Sequence, residues 1–381
     1  GMGWSLLRAE KLRGSGHRCT RAHGRAPRRT RKTAARSTVR TPGRARPRNA
    51  AVACGRHRAD TARVPPSHDL LARIARLREL FLAEDRGGAL ADYWRSPADV
   101  AAYDAVLGAR IGWKWQAALA ECHDRGWTRS DGERVVDFGC GSGVAARAYA
   151  QRFGAGHVRL VDRSRTAAQW AADALRAACP AVPTLPASDA GSEPPDVLLV
   201  SHVLSELDAA GEQRLEALAR RSRRVLWVEP GSKPIARRLS ALRDRLTDAF
   251  AVQAPCPHQG PCPALASPGD WCHFFAPPPA AVFTDGDWAH YGRALGIDLR
   301  ALPYAFVALV RRDAAADPAP LPRSPLPHRL LGRVDVGKHD ASAQACTAAG
   351  LTTLRVPKRT QPELWRALKK HPEGRRELPP A

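Results

Sequence analysis

No run of about eighteen consecutive apolar residues occurs in this 381-residue sequence, which excludes a membrane-spanning helix. Residues 1–20 lack an apolar h-region, so a secretory signal is not expected there. Nine cysteines are too few for a disulfide scaffold in a chain of this length. No internal repeat is apparent. The remaining composition, 44% hydrophobic and 25% charged, is that of a soluble globular chain.

Acidic residues are scarce at the two ends. Residues 1–64 hold 18 Lys and Arg against two acids, Glu10 and Asp60, and residues 320–381 hold 12 against five. The stretch 65–319 carries 30 of each sign, so the net charge of +23 lies wholly in the ends. That distribution suits tails reaching for a polyanion better than a uniformly basic surface.

Residues 1–64 show no sustained apolar period and are rich in Arg, Ala, Thr, Gly and Pro. They cannot bury enough apolar surface to offset their ordering entropy, and a basic disordered segment is expected. An RNA-binding arm, an Arg-rich mitochondrial transit peptide and translated upstream sequence compete as its meaning. From Ser67, a possible cap, Leu70, Leu71, Ile74, Leu77 and Phe81 recur at helical spacing. A second helical stretch runs from Pro97 to Cys122, and the two predict an N-terminal helical domain over residues 65–130. Tyr93 and Trp94 between them read as core residues.

From Arg134 strands and helices alternate. Apolar runs at Val135–Phe138, Val158–Val161, Val197–Ser201 and Val225–Val228 are separated by helical segments near 144–153, 164–178, 211–222 and 233–249. That rhythm predicts βαβ units and a parallel sheet in an α/β domain over 131–312. Tyr304–Arg311 reads as a further buried strand. Pro and Gly density over 251–285 argues against regular structure there, although Cys, His and Trp are abundant. Residues 313–328 read as a Pro-rich linker. Residues 329–381 read as a small basic module, with short strands at Leu330–Val336, Ser342–Thr347 and Leu351–Val356 and a basic end at Lys369, Lys370, Arg375 and Arg376.

VVDFGCGSG, Val135–Gly143, ends the first strand and opens a helix. Gly139, Gly141 and Gly143 let a ligand approach the backbone closely. No GK[ST] follows, so the loop is not a Walker loop. Asp137, ahead of the glycines, suits the cationic amino-acid end of a ligand rather than a pyrophosphate. The segment resembles motif I of the Rossmann-like class I methyltransferases, which bind S-adenosylmethionine. By that resemblance Asp162, ending HVRLVD, would accept the ribose hydroxyls, and Asp189 would lie beside adenine. A Rossmann-like fold that holds no methyl donor is the plainer alternative.

Donor binding is not catalysis, because transfer needs a nucleophile in line with the sulfonium. SHVLSEL, Ser201–Leu207, follows the fourth strand and contains no NPPY-type tetrapeptide. Pro255–Cys256 and Pro261–Cys262 are similar to the Pro-Cys pair of cytosine-C5 methyltransferases, but come too late in the chain. His202 is a candidate to face the ligand, with packing or loop anchoring as its simpler role. No residue is assigned as catalytic.

Cys256, Cys262 and Cys272 share one Pro-rich loop with spacing C-x5-C-x9-C, beside His258 and His273. A loop without secondary structure needs something to hold it, and thiolates around a metal would do so. Zinc would complete a Cys3His site with either histidine. A cubane iron–sulfur cluster would prefer a fourth cysteine, for which Cys346 is available. Spacing alone does not choose between them. Cys19 and Cys54 lie in the basic leader, Cys122 and Cys179 on expected helices, and Cys140 in the glycine loop.

VVDFGCGSG, DVLLVSHVLSEL, VLWVEPGS, APCPHQGPCP, DWCHF and YAFVALVRR occur in that order. Together they resemble the methyltransferase-like assembly factors of the mitochondrial small ribosomal subunit, a family with bacterial relatives, over about residues 67–360. The resemblance implies a Rossmann-like class I methyltransferase fold with S-adenosylmethionine as ligand. It also implies a 4Fe-4S cluster held by Cys256, Cys262, Cys272 and a later cysteine. QACTAAG, Gln344–Gly350, places Cys346 in that role, and VEPG matches Glu229, Pro230 and Gly231. The long basic leader and the run Pro277–Pro279 depart from the family pattern.

The expected function is that of a methyltransferase-like protein acting on small-subunit rRNA or in assembly of the pre-ribosomal small subunit. The alternatives are a non-enzymatic RNA-binding maturation factor and a small-molecule methyltransferase with a zinc-stapled loop. A monomer without a membrane partner is expected. A bacterial cytoplasm is expected ahead of a mitochondrial matrix. Arg greatly outnumbers Lys, and the leader's Gly and Pro would break an amphipathic transit helix.

Overall fold

A computed structural model describes residues 66–82, 92–313, 328–370 and 377–378. They belong to a unit spanning Val52–Ala381. The expectations for residues 1–64, for linker residues 314–327 and for Arg375 and Arg376 lie outside the described residues.

The chain enters through α1 (His68–Leu82), α2 (Pro97–Tyr103) and α3 (Ala109–Asp124). Ser67 Oγ accepts the Leu70 amide at 3.2 Å, as the cap reading expects. The continuous helix expected from Pro97 to Cys122 is instead broken by a π-helical turn, Asp104–Gly108. The wider turn places Asp104 against Arg147 at 2.5 Å, and Arg147 in turn donates to the Ser142 carbonyl at 2.6 Å. Trp94 is buried, as expected. Tyr93 is half-buried and donates its hydroxyl to Glu206 at 3.1 Å.

The main sheet contains β1 (Arg134–Phe138), β2 (His157–Val161), β3 (Thr184–Ala187), β4 (Val197–Ser201), β5 (Arg224–Pro230), β6 (Phe250–Ala254), β7 (Phe274–Phe275) and β8 (Pro303–Arg311). Their order is β3-β2-β1-β4-β5-β8-β6, with β7 also on β8. β1 to β5 pair in parallel, whereas β8 runs antiparallel to both β5 and β6. The connecting helices are α4 (Val144–Phe153), α5 (Arg165–Ala178), α6 (Ala209–Arg221), α7 (Lys233–Leu246), α8 (Ala281–Thr284) and α9 (Gly286–Leu295).

The expected Rossmann-like sheet is therefore present. Its parallel strands are continuous apolar runs because helices cover both faces. Val197, Leu199 and Leu226 face one core with α3, α4 and α5; Leu198, Val200 and Trp227 face the other with α6 and α7. Strand order reverses between β1 and β4, which opens a crevice at their carboxyl ends.

β3 was not among the expected runs, being four residues long and interrupted by Pro186. The helix expected over 233–249 ends at Leu246. The stretch 251–285, expected to lack regular structure, begins inside β6 and includes β7. Phe250, Val252 and Ala254 alternate inward at the sheet edge, a two-residue period hidden by the prolines that follow. The Gln259 side chain donates to the Val252 carbonyl and accepts its amide, both at 2.8 Å, so a side chain pairs part of the open edge.

A second sheet consists of β9 (His328–Val336), β10 (Asp340–Thr347), β11 (Gly350–Pro357) and β12 (Glu377–Leu378), in the order β11-β10-β9-β12. α10 (Pro362–Lys370) packs Trp365 and Leu368 against Leu330, Val334 and Ala343. The Gly332 amide donates to the His273 carbonyl at 2.9 Å, and Gln344 donates to Asp270 at 2.8 Å. These bonds join the small sheet to the cysteine loop.

Candidate ligand and metal sites

The glycine loop sits where β1 delivers it, at the switch in strand order. Gly139, Gly141 and Gly143 have φ of 66°, 52° and 76°, in the left-handed region that disfavours side chains. A Cβ at Gly139 would meet Val203 at 2.8 Å, and one at Gly143 would meet Ala171 at 2.7 Å. At Gly141 it would meet nothing within 4 Å. Two glycines thus serve close packing, while Gly141 faces open space.

Asp162 anchors this loop from the end of β2, accepting the Gly141 and Ser164 amides at 2.9 Å each. Burial raises its carboxyl above the usual range. Asp137 is wholly buried; its Oδ2 accepts the Ala146 amide at 3.1 Å, and its Oδ1 has no partner. Burial pushes the Asp137 carboxyl up to about 7, with the Asp162 charge adding to the effect. Asp189 is exposed just beyond β3, where it accepts the Gly191 amide at 2.8 Å and lies 3.8 Å from Arg159.

His202 follows β4 with φ of 57°, an uncommon value for a residue with a side chain. Its Nδ1 lies 3.5 Å from Ser201 Oγ, which accepts Trp115 Nε1 at 2.8 Å. Its Nε2 lies 3.3 Å from Lys114 Nζ. Burial, then the charges of Lys114 and Arg110, holds His202 well below the usual imidazole range. Glu229, near the end of β5, accepts Trp227 Nε1 at 2.7 Å, the Val203 amide at 3.1 Å and the Leu204 amide at 3.2 Å, all on Oε1. Its Oε2 has no partner, and burial pushes this carboxyl up to about 7. Arg110 and Lys114 escaped the sequence reading. They stand one helical turn apart, but such spacing is common by chance among 60 basic residues.

The four cysteines singled out by sequence converge. Cys256, Cys262 and Cys272 from the loop and Cys346 from β10 line one pocket, with His258, Phe274 and Arg329 among its walls. None of the four is in a disulfide. Among the described residues, no group of three or more His, Cys, Asp or Glu is drawn together tightly enough to chelate a single ion. Burial raises the Cys256 thiol and pushes Cys346 up to about 12. Burial also raises Cys272, and the other three cysteines add to its shift. His258 Nε2 lies 3.3 Å from Cys346 Sγ.

The loop is not left for a metal alone to hold, which revises the expectation from sequence. Arg125, at the end of α3, donates to the carbonyls of Pro255 and Cys256. Arg243 on α7 donates to those of His258 and Gly260, and Arg237 to those of Ala264, Leu265, Ser267 and Asp270. Three guanidiniums thus satisfy eight backbone carbonyls that regular structure would otherwise pair. No sequence signal marks these arginines, because their partners are backbone atoms and Arg is everywhere in the chain.

Solved structures similar to this chain include magnesium protoporphyrin IX methyltransferase from Synechocystis with bound SAH, at 11% identity over 61% of this chain and 92% of that one, with a TM-score of 0.34. A SAM-dependent methyltransferase from Thiobacillus denitrificans in complex with S-adenosyl-L-homocysteine matches at 16% identity over 54% and 91%, with a TM-score of 0.31. A SAM-dependent methyltransferase from Aquifex aeolicus matches at 16% identity over 41% and 89%, with a TM-score of 0.32. No curated protein matches the sequence significantly. The family model described as mitochondrial small ribosomal subunit Rsm22 matches residues 99–370, a span that includes the glycine loop, the cysteine loop and Cys346, and the chain belongs to that family.

Proposed function

We propose that this protein binds S-adenosylmethionine at the glycine loop and holds a 4Fe-4S cluster at Cys256, Cys262, Cys272 and Cys346. In this reading it acts on small-subunit rRNA or in assembly of the small ribosomal subunit. The observation that carries the reading is the meeting of Cys346, from a separate small sheet, with three loop cysteines in one pocket.

In this reading each group has residues to hold it. Asp137 Oδ1, buried and unpartnered, would take the donor's ammonium. Asp162 would take the ribose hydroxyls with the lone pairs its two amide bonds leave free, and Asp189 would border the adenine. His202 would close the methionine end. S-adenosylmethionine, when bound, supplies an electrophilic methyl group. The cysteines would cross-link two segments far apart in sequence, and Arg125, Arg237 and Arg243 pre-form the loop that carries three of them.

In this reading residues 65–130 and 329–381 are modules flanking the sheet domain, and the small one presents RNA-facing charge. Arg355, Lys358, Arg359, Arg366, Lys369 and Lys370 are all exposed on it, as contacts to phosphates require. No described helix is long and apolar enough to cross a membrane. The family's description favours a mitochondrial matrix and the Arg-rich composition a bacterial cytoplasm; the reading holds in either. The second reading of the pocket is a zinc site of cysteines and one histidine; His258, 3.3 Å from Cys346, is the histidine it would use, and the ligands would have to draw closer than they stand.

The test is anaerobic purification with a visible spectrum and assays of iron, sulfide and zinc, alongside calorimetric binding of S-adenosylhomocysteine. Iron and sulfide near four per chain support the cluster. One zinc in a colourless protein selects the second reading. Absence of nucleoside binding removes the methyl-donor part.

A further inference from the structure

Two basic side chains stand at the carboxyl edge of the sheet with no carboxylate bonded to either. Arg110 and Lys114 share one face of α3. Arg110 Nη2 is occupied by the carbonyls of Asp298 at 3.3 Å and Ala301 at 3.4 Å, while its Nε is buried with no partner. Lys114 Nζ meets only the ring nitrogen of His202, at 3.3 Å. Neither forms an ion pair with any described residue. Of the nearby acids, Asp298 bonds Arg300 at 2.9 Å and 3.1 Å, and Glu229, whose charge reaches Lys114 without a bond to it, spends Oε1 on three donors and keeps a buried, unpartnered Oε2.

This arrangement carries a cost. Burial and the neighbouring Arg110 charge lower the Lys114 amine to about 7, and burial lowers Arg110 as well. His202 is held in a left-handed backbone conformation of the kind that persists at ligand sites, where surrounding structure over-determines it. The position is informative too. Val203, the next residue, packs on Gly139, so the cluster borders the glycine loop.

We infer that Arg110, Lys114 and His202 form an oxyanion-binding subsite beside the glycine loop, built to take a carboxylate or phosphate group. The inference rests on reading that loop as the methyl-donor site. Two sources carry such a group: the amino-acid end of the donor and a phosphate of the acceptor nucleic acid. Lys114 Nζ has donors to spare, and Arg110 Nε is an unused donor, so an oxyanion would satisfy both and neutralise their mutual repulsion.

The experiment compares the full-length protein with Lys114→Met and Lys114→Arg, using S-adenosylhomocysteine, 5′-deoxy-5′-methylthioadenosine and inorganic phosphate as calorimetric probes. Methylthioadenosine lacks the carboxylate. If the donor supplies the oxyanion, Lys114→Met weakens S-adenosylhomocysteine roughly ten-fold, leaves methylthioadenosine unchanged, and Lys114→Arg restores most of the loss. If the acceptor supplies it, both nucleosides bind Lys114→Met as they bind wild type, while phosphate binding seen in wild type is lost. Equal affinities of wild type and Lys114→Met for all three probes overturn the subsite. A wild type that binds neither nucleoside overturns the donor reading, and the phosphate comparison then decides the subsite by itself. Should Lys114→Met not fold, Arg110→Met takes its place with the same outcomes.

Discussion

Arg329 on β9 pairs with Glu121 on α3 at 2.8 Å, and the two residues are only 2% and 3% exposed. The same guanidinium lies 3.9 Å from the centre of the Phe274 ring and lines the cysteine pocket. In the β9–β10 ladder Arg329 is directly opposite Cys346. A single arginine therefore links the small sheet, the sheet domain and the pocket. Glu121 also lies 3.2 Å from Arg125, so the pair belongs to a buried charge network rather than standing alone. Glu121→Gln or Arg329→Met alone should cost about 1–3 kcal/mol in denaturant unfolding, and the double variant should cost clearly less than the two losses added.

Cys346 is delivered by a sheet that has its own core and its own tethers. Cys346→Ser should therefore lower bound metal sharply while leaving S-adenosylhomocysteine affinity within about two-fold. Limited proteolysis should still find the small sheet docked, because Arg329, Gly332 and Gln344 hold it without the thiol. Release of the segment beginning near residue 328 in this variant would show that the metal, not these bonds, is the tether.

Acid–base behaviour gives a third expectation. Asp137 titrates near 7 when folded against 3.8 as its ordinary value, and Glu229 near 7 against 4.5. Between about pH 4 and 7 the unfolded chain releases these protons while the folded chain keeps them, so stability falls as pH rises through that window. For Asp137 the loss is on the order of 4 kcal/mol. Lys114 acts in the opposite sense: its folded value near 7 lies below its ordinary 10.5, so its penalty is full below 7 and is relieved as pH climbs towards 10.5. These three groups should produce a stability minimum near neutral pH in donor-free protein. Melting curves across pH with and without S-adenosylhomocysteine check it, and the largest stabilisation by ligand should fall at that minimum.

The three loop glycines should separate by phenotype. Gly139→Ala and Gly143→Ala combine a left-handed φ with a Cβ overlap against Val203 and Ala171, and each should destabilise by about 2–4 kcal/mol. Gly141→Ala has the strain without the overlap and should cost only about 1 kcal/mol. Its methyl group would enter the open space in front of the loop. Nucleoside affinity should therefore fall more in Gly141→Ala than its stability change explains, measured by calorimetry beside thermal melting.

Much of this architecture is local and was legible in the residues. The apolar runs that became β1, β2, β4, β5 and β8 are buried on both faces, so nothing but a covered sheet accommodates them. The glycine pattern after β1 encodes its own left-handed turns, and the spacing of Cys256, Cys262 and Cys272 marks a cluster before any fold is known. β3 and β6 were not legible, because short strands take their stability from neighbours in the sheet rather than from their own periodicity.

Composition, periodicity and motif spacing determined the parallel sheet, the glycine loop, the cysteine set and the neutral middle between two basic ends. Tertiary structure alone decided which arginines matter. Arg125, Arg237 and Arg243 hold a loop through its carbonyls, Arg329 holds a sheet through Glu121, and Arg110 reaches the Asp298 and Ala301 carbonyls with no carboxylate bonded to it. The reason is physical: a guanidinium's role is set by the acceptor it reaches, and backbone carbonyls and distant carboxylates leave no mark on the sequence around the arginine itself.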